Sequence, residues 1–309
     1  MELPKHIHKL YRHWPDHVVR VHSSEKPDLA NLPVVKEICN FAHERLSIWQ
    51  KKISNEPIPY TRDPILQKYR FCNVFREFDK QTIAFHTLLN PLRDDFALWL
   101  LNMLYCRMVA RPETVESVGL LSFDLEVNRE LYDRLMASSR PRYGTPYVFP
   151  ISTIQKSATP NRERFICEYL PSIMKSIANE IETWRSISVI DGVKEILPMF
   201  GFNLNFLWTE VLIDVAYQYP ERIDLFAAFP IGPGSIPTMR MVNRTADPVD
   251  LAVRLSLIPF DPGITIDGVP LRLSAENWEG IGCEFRKYTN LKSGRGRKRI
   301  YMMKSKTRS

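Results

Sequence analysis

The stretch from Asp63 to Leu89, DPILQKYRFCNVFREFDKQTIAFHTLL, constrains this chain most, because it joins a clear helix start to polar residues that a plain core helix would avoid. Asp63 before Pro64 is an N-cap with proline at the first helical position, where the missing N–H costs nothing and the carboxylate meets the positive helix end. A helix is expected to begin there. From Asn73 onward, Asn73, Arg76 and Asp79/Lys80 fall at i, i+3 and i+6/i+7, which on a helix stacks an amide, a guanidinium and a carboxylate along one stripe. Phe71, Val74, Phe75, Phe78 and Phe85 surround that stripe with apolar surface. Two readings follow: an Arg76–Asp79 pair on a solvated face, or a polar ladder among aromatics that partners must satisfy.

Helical spacing recurs along the chain. Val34, Ile38, Phe41, Ala42, Leu46 and Trp49 make residues 34–54 an amphipathic core helix. Asp94-Asp95 opens a helix from Phe96 through Met108 that is apolar nearly all round, which marks it as central. Pro112 starts a further turn, residues 128–138 a polar helix, and residues 161–185 a long helix burying Phe165, Ile166, Tyr169, Ile173, Ile177, Ile181 and Trp184. A small hairpin is expected around Asp267-Gly268. The fold class is therefore mainly α, with small irregular and β pieces. A chain of 309 residues, 44% hydrophobic, can bury a sizeable core, and we divide it into an arm (1–33), one helical domain (34–290) and a tail (291–309).

Charge and cysteine usage narrow the class. The formal charge of +7 favours a polyanionic partner. Residues 291–309 hold eight Lys or Arg and no acid, so they read either as a solvated tail or as a salt-sensitive nucleic-acid contact. The arm carries His6, His8, His13, His17 and His22; Pro15 separates the one i, i+4 pair, which argues against a metal there. Arg12, Trp14 and Arg20 suit a phosphate backbone equally well. Five cysteines without close pairing read as reduced, cytoplasmic thiols, and no run approaches the ~18 apolar residues of a membrane span. The sequence contains no Gly-x-x-x-x-Gly-Lys, HExxH or GxSxG, which disfavours nucleotide kinase, zinc hydrolase and serine esterase readings.

Three further blocks carry chemistry. Glu210 and Asp214 stand at i, i+4 in the apolar run LPMFGFNLNFLWTEVLIDVAY; such carboxylates need a cation, a metal or a shared proton, or else Glu210 faces water while Asp214 pairs with a core arginine. In AAFPIGPGSIPTMRM, Gly232 and Gly234 form a tight turn whose N–H groups suit an anion, with Arg240 and Arg244 nearby; Pro237 is expected to interrupt the helix after it. In ENWEGIGCEFRKY, Glu284, Arg286 and Lys287 are adjacent opposite charges, a surface ion pair in the plainest reading.

Four of these blocks occur in a consistent order that resembles the alpha-glutamyl/putrescinyl thymine pyrophosphorylase family, also described as the hydroxymethyluracil DNA kinase helical domain. They are Lys68-Tyr69-Arg70-Phe71 with Asn-x-Phe-Arg-x-x-Asp at 73–79, a small-residue/Tyr segment at 143–151, the Asp214-apolar-x-Tyr217 and GPGS wording within 197–240, and Cys283-Glu284-Phe285-x-Lys287-Tyr288. The resemblance implies a helical, DNA-glycosylase-like architecture with a helix-hairpin-helix-like turn. It also implies a transferase of phage thymine hypermodification, in which an amino acid or polyamine displaces pyrophosphate from 5-(pyrophosphoryloxymethyl)uracil in DNA. In that light Asp79, Asp214 and Glu284 are the carboxylates that accept the amine proton or hold Mg²⁺, and Arg76, Arg240, Arg286, Lys287, Gly232 and Gly234 bind pyrophosphate or DNA. Asn73 reads or orients, while Tyr69, Phe75 and Tyr147 stack on a base flipped from the helix. The implied partners are DNA carrying a modified thymine, a free amino acid or polyamine (glycine, serine, glutamate or putrescine) and a DNA kinase, in the cytoplasm of a phage-infected bacterium. Two rivals remain: a DNA glycosylase using the Gly232-Pro233-Gly234 turn with Asp247 or Asp250, and a non-catalytic DNA-binding protein.

Overall fold

The computed structural model describes residues 1–12, 28–144, 157, 159–296, 298 and 300. The expectations for His13, His17, His22, Trp14, Arg20, Tyr147 and residues 301–309 lie outside the described residues. In chain order the helices are α1 (Lys5–Tyr11), α2 (Pro33–Ile53), α3 (Pro64–Lys68), α4 (Lys80–Leu89), α5 (Phe96–Val109), α6 (Pro112–Val118) and α7 (Leu125–Ala137). After a π turn at Phe165–Tyr169 come α8 (Leu170–Thr183), α9 (Val189–Phe200), α10 (Asn205–Gln218), α11 (Ile236–Val242), α12 (Pro248–Ser256) and α13 (Ala275–Lys292). Among the described residues, β-structure is confined to two short pairs: β1 (Ile187–Ser188) parallel to β2 (Ile223–Asp224), and β3 (Thr265–Ile266) antiparallel to β4 (Val269–Pro270). The protein is mainly α. No helix among the described residues is long and apolar enough to cross a membrane.

Short polar side chains cap several of the helix starts. Asp63 accepts from the N–H groups of Ile65 (2.8 Å) and Leu66 (3.0 Å), Asp95 from Leu98, Asp124 from Glu126, and Asp247 from Val249 and Asp250. Ser274 and Asn277 close a capping box on α13. Each cap satisfies otherwise orphaned donors and contributes about 1 kcal/mol. Gly201 ends α9 in the left-handed region (φ 79), and the β3–β4 turn places Asp267 (φ 50) and Gly268 (φ 76) in the geometry a two-residue hairpin requires.

The chain forms two compact units, one from Met1, Val21–Asp79 and Ala228–Ser309, the other from Glu2–Arg20 and Lys80–Ala227. In the second, α5 is central as its composition predicts: Trp99 through Val109 are all buried, and α8 and α10 pack on it. Its buried Asn102 is satisfied by the backbone of Leu121, accepting from its N–H at 2.7 Å and donating to its carbonyl at 3.0 Å. In the first unit α13 is the pillar, packed by α2, α3, α11 and α12.

The helix expected after Asp63 does not form as one element: α3 stops at Lys68, Tyr69–Phe75 is irregular, Arg76–Phe78 is a single 3-10 turn, and α4 begins only at Lys80. Phe71, Cys72, Asn73, Val74 and Phe75 are all weak helix formers. Side chains replace the missing ladder: Arg45 donates to the carbonyls of Phe71 (2.9 Å) and Cys72 (3.1 Å), and Glu284 accepts from the Cys72 N–H (3.2 Å). The ladder of Asn73, Arg76 and Asp79 is therefore not a helical stripe, although Asn73 does donate its N–H to Asp79 Oδ1 at 3.2 Å.

Candidate functional site

In the first unit, α13 presents Glu284, Lys287 and Tyr288 to the irregular segment. Glu284 is buried, and its two oxygens accept from two ammonium groups: Oε1 from Lys287 at 2.7 Å and Oε2 from Lys298 at 2.6 Å. Burial alone would raise the Glu284 pKa, but Lys298 and Lys287 outweigh it and hold the carboxyl below its usual range. Lys287 shows the mirror balance, lowered by burial and raised further by Glu284, so it stays charged. The three groups carry a net charge of +1 (two cations, one anion).

Aromatic rings wall this cluster. Lys298 Nζ lies 4.3 Å from the Phe71 ring centroid, Arg45 lies over the same ring at 5.6 Å, and Phe41 contacts Phe71, Phe285 and Tyr288. Tyr288 donates to Asp63 Oδ2 at 2.6 Å, so the carboxylate that caps α3 also fixes α13. Burial, then Asp63, pushes the Tyr288 hydroxyl well above its ordinary pKa and keeps it a donor. Arg45 is buried, and its pKa is lowered by that burial against the opposing pull of Glu284 and Asp79.

The structure thus brings Glu284 and Lys287 together with the 71–79 segment, and the pair is not the surface contact that adjacency suggests. Arg286 is half-buried on α13, its Nε without a partner among the described residues. Asn73, Arg76, Asp79 and Tyr69 are partly accessible. Phe75 is fully buried and packs on Phe78, which removes it as a surface for a base. Arg240 is exposed on α11. Sequence reasoning missed Arg45 and Lys298. Arg45 was detectable, since it falls on the apolar stripe of α2 between Phe41 and Trp49, where a guanidinium must find partners.

Gly232 and Gly234, expected to cradle an anion, lie in a turn that packs against α13. Neither adopts a positive φ. A Cβ on Gly234 would lie 2.6 Å from Cys283 Sγ, and one on Gly282 would lie 2.2 Å from Ser235 Oγ. The turn is glycine-rich because it docks against α13, and Thr238 secures the contact by donating to the Gly282 carbonyl at 2.6 Å. Pro237 does not break the following helix, because it sits in the first turn of α11, where proline is tolerated. The element before the turn is β2 rather than a helix. Gly282→Ala is expected to lower unfolding free energy by about 1–3 kcal/mol through overpacking, read from the denaturant midpoint; an unchanged midpoint would show that the turn yields freely.

Asp214 belongs to the second unit and is fully buried. Its Oδ2 accepts from Arg107 Nε (2.6 Å) and its Oδ1 from Arg107 Nη2 (2.6 Å), the bidentate core pair that was one of the two sequence readings. Gln218 Nε2 donates to the Leu10 carbonyl (3.0 Å), which can only accept, and its second hydrogen meets His86 Nδ1 at 2.8 Å. This places the imidazole proton on Nε2, which donates to Asp214 Oδ1 at 3.0 Å. The oxygens of Glu284 and Asp214 are thus already engaged by lysine and arginine donors.

Fold and site define a mainly helical protein with a buried carboxylate that gathers two lysines beside an aromatic wall. Residues 32–297 match the family model described as 5-hmdU DNA kinase, helical domain, and the chain belongs to that family. It is also 32% identical over 128 residues to the 5-hmdU DNA kinase of Bacillus phage SP10. That alignment covers 38% of this chain but 20% of the relative. No solved structure matches.

Proposed function

We propose that this chain is a transferase of DNA base hypermodification, which displaces pyrophosphate from 5-(pyrophosphoryloxymethyl)uracil in DNA with an amino acid or polyamine. Membership of a family described by 5-hydroxymethyldeoxyuridine DNA chemistry supports the substrate class. The observation that carries the reaction type is the cationic surplus around Glu284, beside the partly accessible carboxylate of Asp79. In the reaction the amine nitrogen bonds to the 5-methylene carbon as the carbon–oxygen bond breaks. Pyrophosphate leaves with the electron pair, and the amine proton passes to a carboxylate.

In this reading Lys287, whose side chain is 40% exposed, meets the departing pyrophosphate with help from Arg286 and Arg76. Asp79 takes the proton, and Glu284 keeps the lysines charged and in place. Asn73 and Tyr69 face the base, and Arg240 holds DNA further along. Of the two carboxylates of the glycosylase alternative, Asp247 is committed to capping α12, which leaves Asp250, exposed on the first turn of that helix. The test is mass spectrometry of nucleosides from DNA bearing the pyrophosphorylated base, incubated with the protein and mixed amino acids and polyamines. A mass gain with pyrophosphate release is expected; abasic sites would indicate the glycosylase, and unchanged nucleosides a passive DNA binder.

A further inference from the structure

We propose that Lys298 is a positioning residue that makes Lys287 available to a phosphate-bearing ligand. The inference rests on the reading of this cluster as the pyrophosphate site. Lys298 lies one residue beyond the family match, which ends at 297, so nothing in the family assignment bears on it.

Lys298 is nearly buried (12% exposed), clamped between Glu284 Oε2 and the face of Phe71. Its segment is tied down where Ile300 bridges Tyr69 in antiparallel fashion. Lys287 is the more open partner and holds the other oxygen. One carboxylate neutralises one ammonium, so with both lysines present one positive charge is left over, and it resides on the lysine that solvent reaches. Without Lys298, Glu284 and Lys287 become a closed, neutral pair. Lys287 is then occupied, and the attraction of the cluster for an anion weakens to what Arg286 and Arg76 supply.

The test is binding of inorganic pyrophosphate to the full chain by isothermal titration calorimetry, with Lys298→Met and Lys298→Arg beside the wild type and thermal midpoints recorded for each. The expected result is at least a tenfold weaker affinity for Lys298→Met, recovery to within threefold of wild type for Lys298→Arg, and loss of wild-type binding as salt rises. Equal affinity for wild type and Lys298→Met would overturn the proposal, as would an arginine that fails to restore binding while the protein stays folded. Absence of binding to wild type would overturn it too. Pyrophosphate binding with no nucleoside product in the transfer assay would instead refute the transferase reading and leave the lysine arrangement standing.

Discussion

Asp214→Asn is expected to lower the unfolding free energy of this protein by about 3–5 kcal/mol, the cost typical of leaving one partner of a buried ion pair behind. Asn keeps the volume of Asp but removes the charge that both Arg107 bonds and the His86 bond depend on. Arg107 is almost wholly buried, so its guanidinium would be left without a counter-charge, with the Thr82 hydroxyl still accepting from it at 3.2 Å. Since whole-domain stability is about 5–15 kcal/mol, the variant should be poorly folded near 37 °C. Urea unfolding followed by tryptophan fluorescence provides the measurement. The companion double variant Arg107→Leu/Asp214→Leu separates causes: it should recover much of the loss, because it removes the stranded charge along with the pair. Asp214→Asn with wild-type stability and no transferase activity would instead place Asp214 in the chemistry.

Glu284→Gln is the second large effect, and it acts on stability and activity together. With a neutral amide in place of the carboxylate, one of the two lysines loses its acceptor, the ammonium groups repel one another without a counter-charge, and the Cys72 N–H loses a charged acceptor. A loss near 3 kcal/mol is expected, at the lower end of the range for buried pairs because Lys287 reaches water. In the proposed transfer reaction the rate should fall about 10²-fold, the scale of removing one preorganised electrostatic contact. The pH dependence has a definite sign. A carboxyl held below its usual value stabilises the folded state above its unfolded pKa near 4.5 and gives that contribution up as pH falls through the lower folded value. The stability gap between wild type and Glu284→Gln should therefore be full at pH 6 and close on acidification below about 4.5. A gap that stayed constant to pH 3 would show that the charge of Glu284 is not what stabilises the cluster.

The helices that were legible have local signals, whereas α1 lies in a stretch expected to be an irregular arm and α9, α12 and α13 were not read as helices. The Asp63-Pro64 start, the apolar run of α5, the stripe of α2 and the hairpin at Asp267-Gly268 each need only a few neighbouring residues to specify them. The same Asp-Pro signal at Asp247-Pro248 went unread and would have removed Asp247 from the glycosylase hypothesis. The site was only half legible, because its parts meet through long-range contacts. Asn73 at i and Arg76 at i+3 fit a helical stripe on paper, yet Arg45 and Glu284 draw the same backbone into an irregular path, and spacing carries no record of such partners. Lys298 was hidden inside a run of basic residues that reads as one electrostatic object. The Gly232–Gly234 turn shows the converse: its wording suits a phosphate cradle, while its geometry answers to the thickness of Cys283.

The bond from Tyr288 to Asp63 joins residues 225 positions apart, and it bears on how the protein is made. The first unit is discontinuous, with Lys80–Ala227 inserted between its two halves. On the ribosome the inserted unit has its whole sequence available first and can fold as a body of its own, since domains generally fold as units during synthesis. Segment 69–79 must meanwhile wait, its carbonyls and apolar rings without their final partners, until α13 has emerged. Assembly of the cationic cluster must then follow the synthesis of α13, and a polypeptide interrupted before residue 284 would carry the inserted helical body without the carboxylate that gathers the two lysines.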